Sequence, residues 1–205
     1  MEDVLDLYAE PYGADRPVVC FDELPFQRLA ETRAPQPAAS RRPARVDYEY
    51  RRQGTANLFL CFEPLAGWRH VDVTDHRTSQ DFAQQMRALV DVHYPEAPVI
   101  AVVLDNLSTH SPAALYQTFP PAEARRLVQR LEFHSTPKHG SWLNMAELEF
   151  AILSRQCLGR RLPDLAILRR EVAAWETERN KARATAQWRF TTAQARTKLQ
   201  RLYPA

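Results

Sequence analysis

No stretch of about 18 apolar residues occurs in this chain, so no membrane span is visible. Its N-terminus, MEDVLDLYAE, is acidic rather than basic and then apolar, the opposite of a secretory signal. Cysteine is limited to Cys20, Cys61 and Cys157, an odd number without metal-type spacing. Two of the three lie in apolar strand runs, so they read as reduced core residues of a cytoplasmic protein. His110, His134 and His139 likewise lack the partners at close spacing that a zinc site needs. What remains is ordinary for a globular protein: 205 residues, 45% hydrophobic and 25% charged, enough for one domain with a sizeable core.

The net charge of +2 conceals a division along the chain. Residues 1–40 carry three Arg against eight acids, and residues 151–205 carry twelve Lys or Arg against four acids. A basic surface able to meet polyanions is one reading of the second segment, and a solvated Arg-rich helix is the other. Residues 24–54 are rich in Pro and Arg and read as a long irregular loop inserted in the domain, of the kind that is functional or disordered. ANLFLCFEP (56–64) and GWRHVDVTD (67–75) form a hairpin across Pro64-Leu65-Ala66-Gly67. Residues 79–94 form an amphipathic helix capped by Thr78 or Ser79, with Phe82, Met86, Leu89 and His93 on one stripe. VIAVVLDN (99–106) is a fourth strand, Ser111-Pro112 opens a helical region whose second helix is 121–131, and LEFHST is a fifth strand. Three consecutive strands followed by crossovers predict an α/β fold on a mixed five-stranded sheet flanked by helices. Residues 1–205 read as one domain with a basic helical C-terminal part at about 160–205.

Three acids stand where acids are costly. VVCFDE (18–23) begins as a strand covered on both faces and ends in Asp22, and VIAVVLDN ends the same way in Asp105. Open α/β sheets present functional groups at the carboxyl ends of such strands. In TPKHGSWLNMAELEFAILSRQCL (136–158), Pro137 and Gly140 make a turn, Ser141 is the expected N-cap, and a helix follows. On that helix Leu143, Glu147, Phe150, Ala151 and Ser154 share a face, which places Glu147 on an apolar stripe and Glu149 about 200° away. Each acid alone also reads as a solvated loop or rim residue. Together, two or three carboxylates without a basic neighbour suit a hard divalent cation.

The order strand-Asp22, strand-Asp105, helix-Glu147 resembles the DDE catalytic set of ribonuclease H-like transposases and integrases. DNLSTH (105–110) resembles the Asp-Asn-x-x-x-His motif of the mariner superfamily, and HSTPKHGSWLNMAELEF its Pro-rich turn followed by Leu-Asn-x-x-Glu. The resemblance is closest to the bacterial branch, the insertion-sequence six-thirty family, and covers nearly all of the chain, with 41 residues between Asp105 and Glu147.

This resemblance implies a ribonuclease H-like catalytic domain that cuts DNA at transposon ends and joins the 3′-hydroxyl to target DNA, at a TA dinucleotide by analogy. It implies two divalent cations, Mg²⁺ with Mn²⁺ substituting, activating the nucleophile and stabilising the leaving oxygen. Asp22 would bridge them, while Asp105 and Glu147 would each complete one site. Glu23, on the other side of its strand, would be a supporting acid. Asn106 and His110 would lie near the DNA or the metal cluster, with Lys138, Arg155, Arg160 and Arg161 meeting DNA phosphates. The 24–54 segment would cross to a second subunit of a homodimeric paired-end complex. The superfamily's helix-turn-helix region has no counterpart in the 21 residues before Asp22, so end recognition would fall to a separate helix-turn-helix polypeptide in the bacterial cytoplasm, at the nucleoid. A metal-dependent nuclease of the same fold, and a truncated non-catalytic DNA-binding or dimerisation remnant, are the alternatives.

Overall fold

Strands whose residues are apolar on both faces belong at the centre of a sheet, and the two such runs of this chain do lie side by side there. The computed structural model describes residues 1–203, so the last two residues of the expected C-terminal part lie outside the described residues. After helix α1 (Glu2–Ala9), strands β1 (Val18–Glu31), β2 (Tyr50–Glu63) and β3 (Trp68–Thr74) run as an antiparallel meander. Helix α2 (Ser79–Ala88) leads to β4 (Ile100–Leu104), which is wholly buried; α3 (Pro112–Thr118) and α4 (Pro121–Arg130) lead to β5 (Leu131–Ser135). The sheet order is β3-β2-β1-β4-β5, with β1–β4 and β4–β5 parallel. This is the mixed five-stranded α/β sheet predicted from the sequence.

Alternation along the strands feeds two cores. Val19, Phe21, Phe59, Ile100 and Val102 pack against α2, α3 and α4. Cys20, Leu58, Leu60, Ala101 and Val103 face the other way, against α1 and the C-terminal helices α5 (Ala146–Leu153), α6 (Leu165–Lys181) and α7 (Thr192–Lys198). Helix starts follow local chemistry. Thr78 forms a reciprocal capping box with Asp81 at α2, Pro112 occupies the first turn of α3, and Asp164 accepts from the Ala166 and Ile167 N–H groups at α6.

Three expectations change. The segment 24–54 is irregular only over 32–49, because β1 and β2 continue past the sheet body as a two-stranded arm paired out to Glu31↔Tyr50. The last β1–β4 partners are Cys20↔Val103, so one edge of the arm is free, and Pro25 is tolerated there because a missing N–H disrupts no ladder bond on an open edge. Ser141 does not cap a helix; it starts a 3₁₀ turn, Ser141–Leu143, and α5 begins only at Ala146. The basic C-terminal part is helical at α6 and α7, with an extended stretch between them whose Trp188 and Phe190 pack on the core.

Candidate functional site

Asp22 is not at the end of its strand, since β1 runs nine residues further, but it lies just beyond the last pairing with β4. It therefore stands at the carboxyl edge of the parallel part of the sheet, half-buried, on the side of Cys20 and α5. Burial is the main reason its carboxyl is pushed up to about 7; the negative charges of Glu147, Asp105 and Glu23 add to the rise, against a hydrogen bond from the Glu23 N–H. Charges from the residue after β4 and from α5 thus act on one half-buried carboxylate of β1.

Asp105 follows directly on Leu104, and its Oδ1 lies 2.6 Å from His110 Nδ1. The other ring nitrogen, Nε2, is 2.9 Å from Glu23 Oε2, so His110 bridges an acid of each central strand. Burial works to lower its pKa, but the hydrogen bonds to Asp105 and Glu23 outweigh this and raise it to about 9. The imidazole packs edge-on to Phe21 and beside Phe82 and is only 7% exposed. His110, expected near the DNA or the metal cluster, lies inside the protein beside Asp105, held there because both its nitrogens have carboxylate partners. Its place is behind Asp105, fixing that side chain's rotamer. Glu23 does point away from Asp22, as strand alternation requires.

The third acid corrects the helix stripe. Glu147 is exposed, and Glu149 is 2% exposed. The stripe drawn from Leu143 fails because Leu143 sits in the 3₁₀ turn and does not share the phase of α5. The true inner face is Ala146, Glu149, Phe150 and Leu153. Glu149 Oε1 and Oε2 accept from Arg179 Nε and Nη2, both at 3.0 Å, and Oε1 lies 3.0 Å from Nε of the fully buried Arg69. Asn144, missed by sequence reasoning, starts this helix. Its Nδ2 donates to the Phe21 carbonyl at 2.8 Å and lies 3.5 Å from Asp22 Oδ2, while its Oδ1 accepts from the Ala146 N–H. The Asn three residues before Glu147 therefore ties α5 to the strand that carries Asp22. Its amide within the Leu-Asn-x-x-Glu stretch was the available signal.

A cleft of about 450 Å³ opens beside Asp105, lined also by Asn106, Thr136, Lys138, His139 and Ser141. Asn106 and Lys138 are exposed on its rim. The turn beneath it needs Gly140, since a Cβ there would fall 2.6 Å from Pro137 Cγ. Of the other residues expected to meet DNA, Arg155 is exposed, Arg160 is paired with Glu171, and Arg161 is paired with Glu31 while donating to the carbonyls of Asp47 and Glu49. Arg161 is thus spent on fastening the β1–β2 arm. Much of the basic C-terminal charge is committed in this way, Arg179 to Glu149 and Arg196 to Glu2 included.

Asp22, Asp105 and Glu147 offer oxygen donors only, the donor type that a hard divalent cation takes. Among the described residues no three acidic, His or Cys side chains close into a ready-made metal group. Such a set leaves coordination to be completed by water and phosphate oxygens, the usual habit of Mg²⁺.

A family model described as DDE superfamily endonuclease matches residues 17–169. Among solved structures, the Mos1 mariner paired end complex with Mn aligns over 88% of this chain and 55% of that one, at 15% identity and a TM-score of 0.58. The Mos1 transposase paired-end complex with left transposon end gives 15% identity and a TM-score of 0.59 over the same shares. The Mos1 strand transfer complex gives 13% identity and 0.57, over 88% of this chain and 53% of that one. The fold is thus the ribonuclease H-like fold of those proteins, and the chain spans little more than half their length. No curated protein matches significantly.

Proposed function

The chain belongs to the DDE superfamily endonucleases, and on that footing we propose that it is the catalytic domain of a cut-and-paste DNA transposase, of the bacterial insertion-sequence six-thirty branch of the mariner superfamily. The observation that carries this reading is the match of the DDE superfamily endonuclease model to residues 17–169, the stretch that includes Asp22, Asp105 and Glu147. Asp22, Asp105 and Glu147 would hold two divalent cations, Mg²⁺ or Mn²⁺. Cations held by these residues would supply activation of a water or DNA 3′-hydroxyl and charge neutralisation at the leaving oxygen.

The chain's own residues do the positioning. His110 holds Asp105 at 2.6 Å and is itself held through its other ring nitrogen by Glu23. Asn144 sets the start of α5 against β1. Asn106 and Lys138, on the cleft rim, would meet the DNA backbone near the scissile phosphate, and the exposed Arg155 would be a further phosphate contact. Contacts of this kind position DNA without reading its sequence, so choice of transposon ends would rest with a separate helix-turn-helix element. The β1–β2 arm, whose tip exposes Val46 and Tyr48, would engage a second copy in a paired-end assembly.

Asp22→Asn, Asp105→Asn and Glu147→Gln should each abolish Mg²⁺- or Mn²⁺-dependent strand cleavage of labelled duplex while the protein stays folded. Retained cleavage in any of them would remove that acid from the site. Cleavage without joining of 3′-ends to target DNA would replace transposition with simple nuclease activity.

A further inference from the structure

Glu149 sits two residues from Glu147 on α5 and has its carboxylate inside the protein. We infer that Glu149, clamped between Arg69 and Arg179, is a positioning residue that fixes the rotation of α5 and so aims Glu147; this rests on the proposed role of Glu147.

The helix cannot set its own rotation. It is eight residues long, has no side-chain cap at Met145, and passes directly into a π-helical turn, Ser154–Leu158. Isolated helices of that length are unstable, so tertiary contacts decide its phase. Residues two apart on an α-helix project about 200° from one another, so a Glu149 held inward obliges Glu147 to face outward. A slip of one residue would turn each side chain by about 100° and carry Glu147 away from Asp22.

The clamp is built from elements other than α5. Arg69 comes from edge strand β3 and has no exposed surface; it also donates to the Gly67 and Ala184 carbonyls. Arg179 comes from α6 and grips both oxygens of Glu149 in a fork. The next residue, Asn180, exchanges two hydrogen bonds with the backbone of Arg69, locking β3 to α6. A fork on a buried carboxylate specifies orientation as well as contact, which an apolar side chain of the same volume does not.

The test separates aim from stability. Glu149→Gln and Arg179→Lys are compared with Leu127→Ala, which empties part of the core on the opposite face of the sheet. All are assayed at a temperature where circular dichroism shows each to be folded. Manganese affinity is measured by calorimetry, duplex binding by fluorescence anisotropy without metal, and cleavage on the same duplex. The expected result is an Mn²⁺ affinity at least about five-fold weaker and cleavage at least about ten-fold slower in Glu149→Gln, with unchanged duplex binding and unchanged Mn²⁺ affinity in Leu127→Ala. Arg179→Lys, which keeps the charge and loses the fork, should fall between and serves if Glu149→Gln does not fold. Wild-type Mn²⁺ affinity in the folded Glu149 and Arg179 variants, or an equal loss in Leu127→Ala, would overturn the inference. A folded Glu147→Gln that still cleaves would instead remove the catalytic reading and leave the clamp a purely structural device.

Discussion

Replacing Asn144 with Asp changes one atom type at a site that is 1% exposed, and the structure makes the cost calculable. In the native protein Nδ2 donates to the Phe21 carbonyl at 2.8 Å and faces Asp22 Oδ2 at 3.5 Å. A carboxylate oxygen in that place donates nothing and meets two acceptors. At an effective dielectric of about 20, two unit charges 3.5 Å apart repel by roughly 5 kcal/mol. Because Asp22, with its pKa near 7, is partly protonated at neutral pH, about 3 kcal/mol is a fairer figure for Asn144→Asp. Asn144→Ala leaves the Phe21 carbonyl and the Ala146 N–H unpaired, about 1 to 3 kcal/mol each. The two ranges overlap at pH 7, with melting temperatures lower by roughly 6 to 12 °C for Asn144→Asp and by roughly 4 to 24 °C for Asn144→Ala in a protein of this size. They part company in acid. The introduced carboxyl has a folded pKa raised above its unfolded value near 3.9, so Asn144→Asp recovers as pH falls below that raised value and is fully restored below about 4. When neutral, its O–H can donate to Phe21. The alanine variant has nothing to titrate and keeps its deficit. Melting temperatures of both, taken relative to wild type from pH 4.5 to 8, test this. Equal deficits at every pH, or a wild-type Asn144→Asp at pH 7, would show that Asn144 is not a donor to β1.

Two further outcomes follow from other parts of the molecule. Gly67 has φ +67 and a Cβ there would lie 2.7 Å from the Arg183 carbonyl carbon and oxygen, so Gly67→Ala should cost at least about 2 kcal/mol and detach α6 from the β2–β3 hairpin, whereas Gly13→Ala, in open space, should be neutral in the same melts. His70 Nδ1 lies 3.2 Å from Glu176 Oε1, and that contact raises the His70 pKa above its ordinary 6.5 even though burial opposes it. Its contribution is fully present below pH 6.5 and is lost as pH rises through the folded value. NMR titration should find the His70 midpoint above 6.5, and Glu176→Gln should lower it; an unchanged midpoint would contradict the pairing.

The sheet was legible because Val18–Phe21 and Val99–Leu104 have no polar face, and only a central, doubly covered position accommodates that. The strand acids were legible for the same reason, since Asp22 and Asp105 interrupt those runs. The phase of α5 was not. Periodicity assumes one continuous helix, and the 3₁₀ turn before Ala146 shifts the count, so Glu147 and Glu149 exchange inner and outer positions. Nor could spacing reveal that Arg69, which shares the inner face of β3 with Val71 and Val73, is the buried partner of an acid 80 residues later. His110 reads from sequence as a polar residue near the DNA or the metal cluster; its burial depends on Glu23 and Asp105 reaching it from both sides at once.

One continuous strand carries both Asp22 and half of the arm, with no loop or glycine between them. The antiparallel ladder from Cys20↔Phe62 to Glu31↔Tyr50 breaks register once, between Gln27 and Leu29. A bulge is the compliant point of a ribbon. Force applied at the arm's tip is therefore a bending load on a cantilever whose weakest section lies five residues beyond Asp22, and whose fixed end is Asp22 itself.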